Sequence, residues 1–251
     1  MQQLFIAIGA YAAIFLLFIQ VPFVVCIPLA GAAAAMIALA TGIPLIRLRG
    51  APFSVGTIAV SNFMMYLFIN TKELGGSLGI QLPLPPYPDK VPFYYMSMLI
   101  GVVAAYVFHA LKPSKFGIAV ASIRENEMAA ESLGLNPAKY KLLALIIGAG
   151  FTGMAGCLYA YYNTYIEPIS IFSFDWMLAI IVITIVGGVG EDWGSIVGAT
   201  IYLFLSEFLF FHFSSSHLLV GGLFLLILIK IYPKGLTNLI LKGVSRLRSS
   251  I

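Results

Sequence analysis

Charge is what this sequence has least of. Only 10% of its 251 residues are Asp, Glu, Lys or Arg, against about 25% in an ordinary soluble domain. No soluble fold of this length can hide a chain that is 61% hydrophobic. Lipid must stand in for the missing core, which excludes the soluble globular classes. Cysteine is scarce too. Cys26 and Cys157 lie inside apolar runs without a metal-type partner at useful spacing, and they read as small packing residues. His109, His212 and His217 lack a carboxylate or second ligand at metal spacing, so neither metal nor cofactor is expected. Met1-Gln2-Gln3 offers no basic n-region before the first apolar stretch, and no cleavable signal peptide is expected. No G-x-x-x-x-G-K-[ST] phosphate loop occurs, and there are no paired aspartates, Ser-His set or H-E-x-x-H helix inside an apolar run. No catalytic residue is therefore assigned.

What is present is a series of apolar stretches near the length a bilayer demands, about 20 residues with shorter re-entrant pieces. Eight are expected: Leu4–Ile19, Val21–Thr41, Pro52–Ile69, Val91–Leu111, Leu142–Tyr162, Phe174–Val189, Ser195–Phe211 and Leu218–Ile231. Gln20 separates the first two, and Pro22 forces a bend there. The run Ile180–Ile185 reads as a strand in water, but an open strand in lipid leaves its backbone unpaired, so helix is expected.

The basic residues orient these spans. Arg47, Arg49, Lys112, Lys115, Arg124, Lys139, Lys141, Lys230, Lys234, Lys242, Arg246 and Arg248 all fall on one side if the spans alternate. Only Lys72 and Lys90 fall on the other, each beside an acid, Glu73 and Asp89. The positive-inside rule puts residues 112–141 and the basic tail 233–251 in the cytoplasm, so the net charge of +4 points to membrane topology and not to nucleic acid. The opposite face carries Tyr87, Tyr94, Tyr95, Tyr161, Tyr162, Tyr165 and Trp176, an interfacial aromatic belt.

The loop 112–141 holds eight of the 24 charged side chains. Ser122-Ile123-Arg124-Glu125 has the S-x-x-E capping-box form, predicting a short helix over Ile123–Leu133 that ends at Gly134. Asn136-Pro137 then supplies a fresh cap and launches the fifth span. Ala129 and Ala130 allow close approach of a partner, and Arg124, Glu125, Glu127 and Glu131 offer polar contacts. On these features alone the loop is either a partner-binding element or a solvated connector.

The stretch Glu127-Met128-Ala129-Ala130-Glu131-Ser132-Leu133-Gly134 resembles the E-A-A---G coupling motif of ABC importer permeases. With Ala121–Gly134 and Lys139-Tyr140-Lys141-Leu142, the chain is similar to the branched-chain amino acid ABC transporter permease family, its LivM-type inner-membrane subunit. Leu48-Arg49-Gly50, Gly187-Gly188-Val189-Gly190 with Trp193-Gly194, and Tyr232-Pro233-Lys234-Gly235-Leu236 follow the same family order. The resemblance runs from Gly9-Ala10-Tyr11 onward and departs at the start, where family members carry one or two more spans. It implies an all-α polytopic membrane protein, ABC importer permease-like and shortened at its N-terminus. Residues 1–251 then form one transmembrane permease domain of the cytoplasmic membrane. It also implies a second permease subunit in a heterodimer, cytoplasmic ABC ATPase subunits that carry the ATP hydrolysis, and an extracytoplasmic solute-binding protein. Arg124, Glu125, Glu127, Ala129, Ala130 and Gly134 would meet the ATPase.

Several intramembrane residues are candidates for a path or hinge. Gly187, Gly188 and Gly190 suit a helix break or hinge near the inner face, or equally tight helix packing. Ser61 and Asn62, in the most polar span, either line a path or bond between helices. Glu207 is the acidic residue well inside a span, and it either contacts solute or snorkels to the interface. An ion-coupled secondary transporter would need midplane carboxylates, for which only the peripheral Glu207 is available. An ABC permease for urea, short amides or a sugar stays open beside branched-chain amino acids, because fold does not name the solute.

Overall fold

The structure, a computed structural model, describes residues 1–48, 50–82, 90–191 and 194–213. These fall into two compact units, Met1–Ser173 and Phe174–Ile251. The first holds α1 (Gln2–Phe18), α2 (Phe23–Ile46), α3 (Ala51–Asn70), α4 (Val91–Leu111), α5 (Lys115–Glu125), α6 (Glu127–Ser132), α7 (Pro137–Asn163) and the single turn α8 (Pro168–Ile171). The second holds α9 (Phe174–Gly187) and α10 (Gly194–Phe213). Seven of the eight expected apolar stretches are helical. The eighth, Leu218–Ile231, lies outside the described residues, as do Arg49, Trp193, the Tyr232–Leu236 motif and the tail 233–251. By length and composition, five helical segments among the described residues suffice to cross a bilayer, with Gln2–Phe18 and Gly194–Phe208 as shorter apolar helices.

Helix boundaries follow local chemistry. The chain turns between α1 and α2 at Gln20, whose φ is +61°, and Pro22 precedes α2. The second helix outruns its expected end at Thr41 and continues through Pro28 and Pro44 to Ile46. Interior prolines are tolerated in membrane helices because neighbouring groups take up the freed carbonyls. Gly50 (φ +65°) and Pro52 open α3. The run Ile180–Ile185 is helical as expected, with the Thr184 hydroxyl donating to the Ile180 carbonyl at 2.7 Å.

The centre of the first unit is the packing of α1, α2 and α7, and small residues carry it. In lipid no hydrophobic force draws helices together, so close van der Waals approach must do so, and large side chains prevent it. Ala7, Ala10, Ala13, Ala30, Ala34, Ala38, Ala149 and Ala160 are fully buried. A Cβ on Gly153 would lie 2.5 Å from the Ala34 Cβ and 2.8 Å from the Ala30 carbonyl oxygen. A Cβ on Gly9 would run into the Gly153 carbonyl, and one on Gly156 into that of Ile6. The helices therefore touch backbone to backbone. At one end of this bundle aromatic rings take over: Tyr11 packs on Phe68 and Phe68 on Phe172, while Phe23 packs on both Phe93 and Tyr161. The expectation that the two cysteines pack in the interior holds, since both are buried and the Tyr161 hydroxyl donates to the Cys26 sulfur at 3.6 Å.

A short antiparallel pairing, β1 (Ile80–Gln81) with β2 (Tyr165–Ile166), ties the segment after α3 to the segment after α7. The Tyr165 hydroxyl donates to the Leu78 carbonyl at 2.5 Å across the same junction. In the second unit α9 and α10 approach as closely as the helices of the first. A Cβ on Gly194 would lie 2.7 Å from the Gly188 carbonyl oxygen and 2.8 Å from that of Gly187. One on Gly198 would collide with the Ile183 carbonyl.

Candidate functional site

The loop 112–141 is built as two capped helices and a stop. The predicted single helix over Ile123–Leu133, capped by Ser122, is corrected here. Ser114 opens α5 eight residues earlier, its oxygen accepting from the Gly117 amide at 3.2 Å. Ser122 is thereby placed inside a helix already begun, and its hydroxyl donates back to the Ile118 carbonyl at 2.9 Å. The chain then breaks at Asn126 (φ −154°, ψ 106°), whose side-chain oxygen caps α6 by accepting from the Ala129 amide at 3.1 Å.

The end of α6 matches the expectation for Gly134. Its φ is +85°. Its amide donates to the Glu131 carbonyl at 3.0 Å and the Leu135 amide to that of Ala130 at 3.1 Å, the paired bonds of a Schellman stop. Asn136 caps α7 as predicted, accepting from the Lys139 amide at 3.2 Å, with Pro137 in its first turn.

One ion pair holds this element to the membrane helix. Lys141 Nζ lies 2.6 Å from Glu127 Oε2, with the side chains 38% and 29% exposed. It joins the first residue of α6 to the second turn of α7, and the ring of Phe116 on α5 lies 6.0 Å from that of Tyr140. Arg124 and Glu125 pair with each other at 3.2 Å in the open. Of the residues expected to face a partner, Arg124, Glu125, Ala129 and Gly134 are exposed, whereas Ala130 is buried against the chain itself and Glu127 is turned toward Lys141. The sequence reading missed two others. Met128 on α6 and Leu133 just past its end stand 71% and 82% exposed. Their spacing of five residues gives no clean helical-face signal, and only the break at Asn126 turns both outward.

The remaining candidates are dispersed. Ser61 is buried and its hydroxyl has no hydrogen-bond partner among the described residues, while Asn62 beside it is exposed. The two therefore point to different surroundings and do not share one wall. Gly187 ends α9, and Gly188 and Gly190 have φ of +95° and +85°, so the expected helix break is present. It coincides with the tight approach of α9 and α10. Glu207 is exposed on α10, six residues before the helix end at Phe213, deeper than the four residues expected.

Apolar helices packed through glycine and alanine, with charge gathered in one loop, define an all-α polytopic membrane protein. The family described as branched-chain amino acid transport system / permease component matches residues 2–229, and the chain belongs to that family. It is 31% identical to the high-affinity branched-chain amino acid transport system permease protein LivM of Salmonella typhimurium, over 92% of this chain and 61% of that protein. The same figures hold for the LivM protein of Escherichia coli. Similarity also reaches the guanosine ABC transporter permease protein NupQ of Bacillus subtilis, 28% identical over 38% of this chain and 34% of that one. The chain thus spans about three fifths of the length of the two LivM relatives. No solved structure matches it. Membership places it in the cytoplasmic membrane as a multi-pass permease component.

Proposed function

We propose that this chain is a membrane-spanning subunit of an ATP-driven ABC importer for branched-chain amino acids. Its partners would be a second permease subunit, cytoplasmic ATPase subunits and an extracytoplasmic solute-binding protein. The family and the two LivM relatives support the solute class. One observation carries the coupling role. The helix α6, fixed at both ends and tied to α7 through Glu127 and Lys141, presents Met128 and Leu133 outward on a loop that the basic residues assign to the cytoplasm. Two large apolar side chains held in water at the tip of a rigid element suit a groove on a soluble partner. In this reading Arg124 and Glu125 form the polar rim, and Gly134 sets the turn back into the membrane. Transmission requires contacts that differ between two states, so the ATPase must grip α6 differently when closed.

The experiment is co-purification with the candidate ATPase and second permease subunits, followed by uptake in proteoliposomes. ATP-dependent uptake of leucine is expected, with guanosine as the comparison solute. Met128→Glu together with Leu133→Glu changes two side chains that are mostly exposed, and it is expected to weaken ATPase retention by at least about tenfold, since each buried side chain contributes about 1.5–3 kcal/mol. Unchanged retention and uptake in the double variant would remove α6 from the coupling role. Uptake of guanosine without leucine would reassign the solute and leave the coupling assignment standing.

A further inference from the structure

A groove of about 820 Å³ runs between α4 and α7, with Ile6 of α1 also lining it. Its walls are apolar along most of their length, formed by Ile100, Gly101 and Ala104 from one helix and Ala155 and Leu158 from the other. The aliphatic hydroxyls that reach it, on Ser97 and Thr152, are engaged within the protein, beside the tyrosines Tyr94, Tyr159 and Tyr162. Ser97 donates to the Phe93 carbonyl at 2.6 Å and Thr152 to the Gly148 carbonyl at 2.7 Å. Among the described residues no acidic side chain lines it.

One end of the groove differs from the rest. Lys90 lines the mouth, with its ammonium 4.4 Å above the Tyr162 ring. From Tyr94, one turn inside the mouth, to Ala104 the wall is about 15 Å long at 1.5 Å per residue. That is half of a hydrocarbon core of about 30 Å. The feature is one leaflet deep, apolar along most of its wall, and closed at the interface by a cation among tyrosines.

From this geometry we infer that the groove is a binding site for one anionic phospholipid, its phosphate on Lys90 and an acyl chain laid along α4 past Gly101 to Ala104. The charge selects the head and the depth accommodates the tail. A zwitterionic lipid brings the same phosphate, but its own quaternary ammonium competes with Lys90 for that charge and leaves the headgroup without net attraction to the mouth. Lys90 is one of two basic residues that alternating spans put on the side opposite the loop 112–141, and its sequence neighbour Asp89 is acidic, so what marks the mouth for a negative headgroup is the placement of the Lys90 ammonium over the Tyr162 ring. The site stands whatever solute the permease carries.

Native mass spectrometry of the full chain, purified in mild detergent and titrated with phosphatidylglycerol or phosphatidylcholine, tests this. One phosphatidylglycerol adduct is expected at about fivefold lower lipid concentration than phosphatidylcholine, the scale of one lysine facing a headgroup of net negative charge. Lys90→Gln should erase that preference while leaving weak binding of both lipids. Gly101→Leu should abolish the adduct without disturbing the fold, because a Cβ at Gly101 meets no atom within 4 Å and the added side chain has the trough to itself. Thermal unfolding of the variant, unchanged or raised, separates this from misfolding. Equal affinity for the two lipids, or an adduct that survives both substitutions, would show annular lipid only and overturn the assignment. Loss of the lipid on assembly with the second permease subunit would show a subunit interface and overturn it equally.

Discussion

The pairing of Glu127 with Lys141 makes a quantitative demand on the loop proposed to couple the permease to its ATPase. The two charges are 2.6 Å apart and about one third exposed, so solvent screens the attraction and a net value of about 1 kcal/mol is the appropriate scale. That corresponds to about a fivefold change in how often α6 is docked on α7. Glu127→Gln and Lys141→Gln should each lose about this much. The exchanged pair, Glu127→Lys with Lys141→Glu, should recover most of it, because the geometry is preserved and only the signs are reversed. The assay is solute-stimulated ATPase activity of the reconstituted importer, with hydrogen exchange across 127–135 as the structural readout. Both single variants should show faster exchange and weaker stimulation, and the swap should restore both. Raising the salt should narrow the difference between wild type and single variants. If the swap restores exchange protection without stimulation, the staple is intact but Glu127 also touches the ATPase directly, and the reasoning that it acts only by holding α6 in place is refuted. If neither single variant changes exchange, the ion pair holds nothing in place.

Two other substitutions probe the frame. Gly134→Ala forces a left-handed residue at φ +85° to carry a Cβ, and although open space surrounds it, backbone strain of about 1–2 kcal/mol should loosen the stop of α6, visible as faster exchange at the Leu135 amide. Gly153→Val places a branched side chain where the Ala34 Cβ would already be 2.5 Å away. The α2–α7 seam should then open at a cost of about 1–3 kcal/mol or more, with a lower melting temperature and a loss of monodisperse protein in detergent chromatography.

Much of this architecture is legible in the sequence because a bilayer simplifies the problem. Apolar runs such as Ile180–Ile185 have one permitted conformation there, and Asn136-Pro137 and Gly134 announce their turns by local chemistry alone. What escaped depended on competition or on distance. Ser122 carries a valid capping pattern, but Ser114 starts the helix earlier, and the hydroxyl that looked like a cap became an internal bond. Asn126 breaks the helix at a point where the S-x-x-E pattern argued for continuity. The partnership of Glu127 with Lys141 spans the turn between two helices, and no periodicity encodes it. The β1–β2 pairing joins residues more than eighty positions apart and is too short to have a strand signature. The groove at Lys90 is a property of two helices together and is invisible in either alone.

The glycine seam also has a mechanical meaning. Packing made of side chains can absorb a push by changing rotamers, but backbone seated on backbone at Gly9, Gly153 and Gly156 has no such freedom. The 27 residues of α7 form a rod about 40 Å long, anchored at one end by Lys141 to α6 and joined at the other to the strand Tyr165–Ile166. A stiff rod clamped along its middle trades displacement at one end for displacement at the other. In the proposed coupling role, a tug on α6 would therefore reach the other end of α7 as tilt, and α1 and α2 would tilt with it.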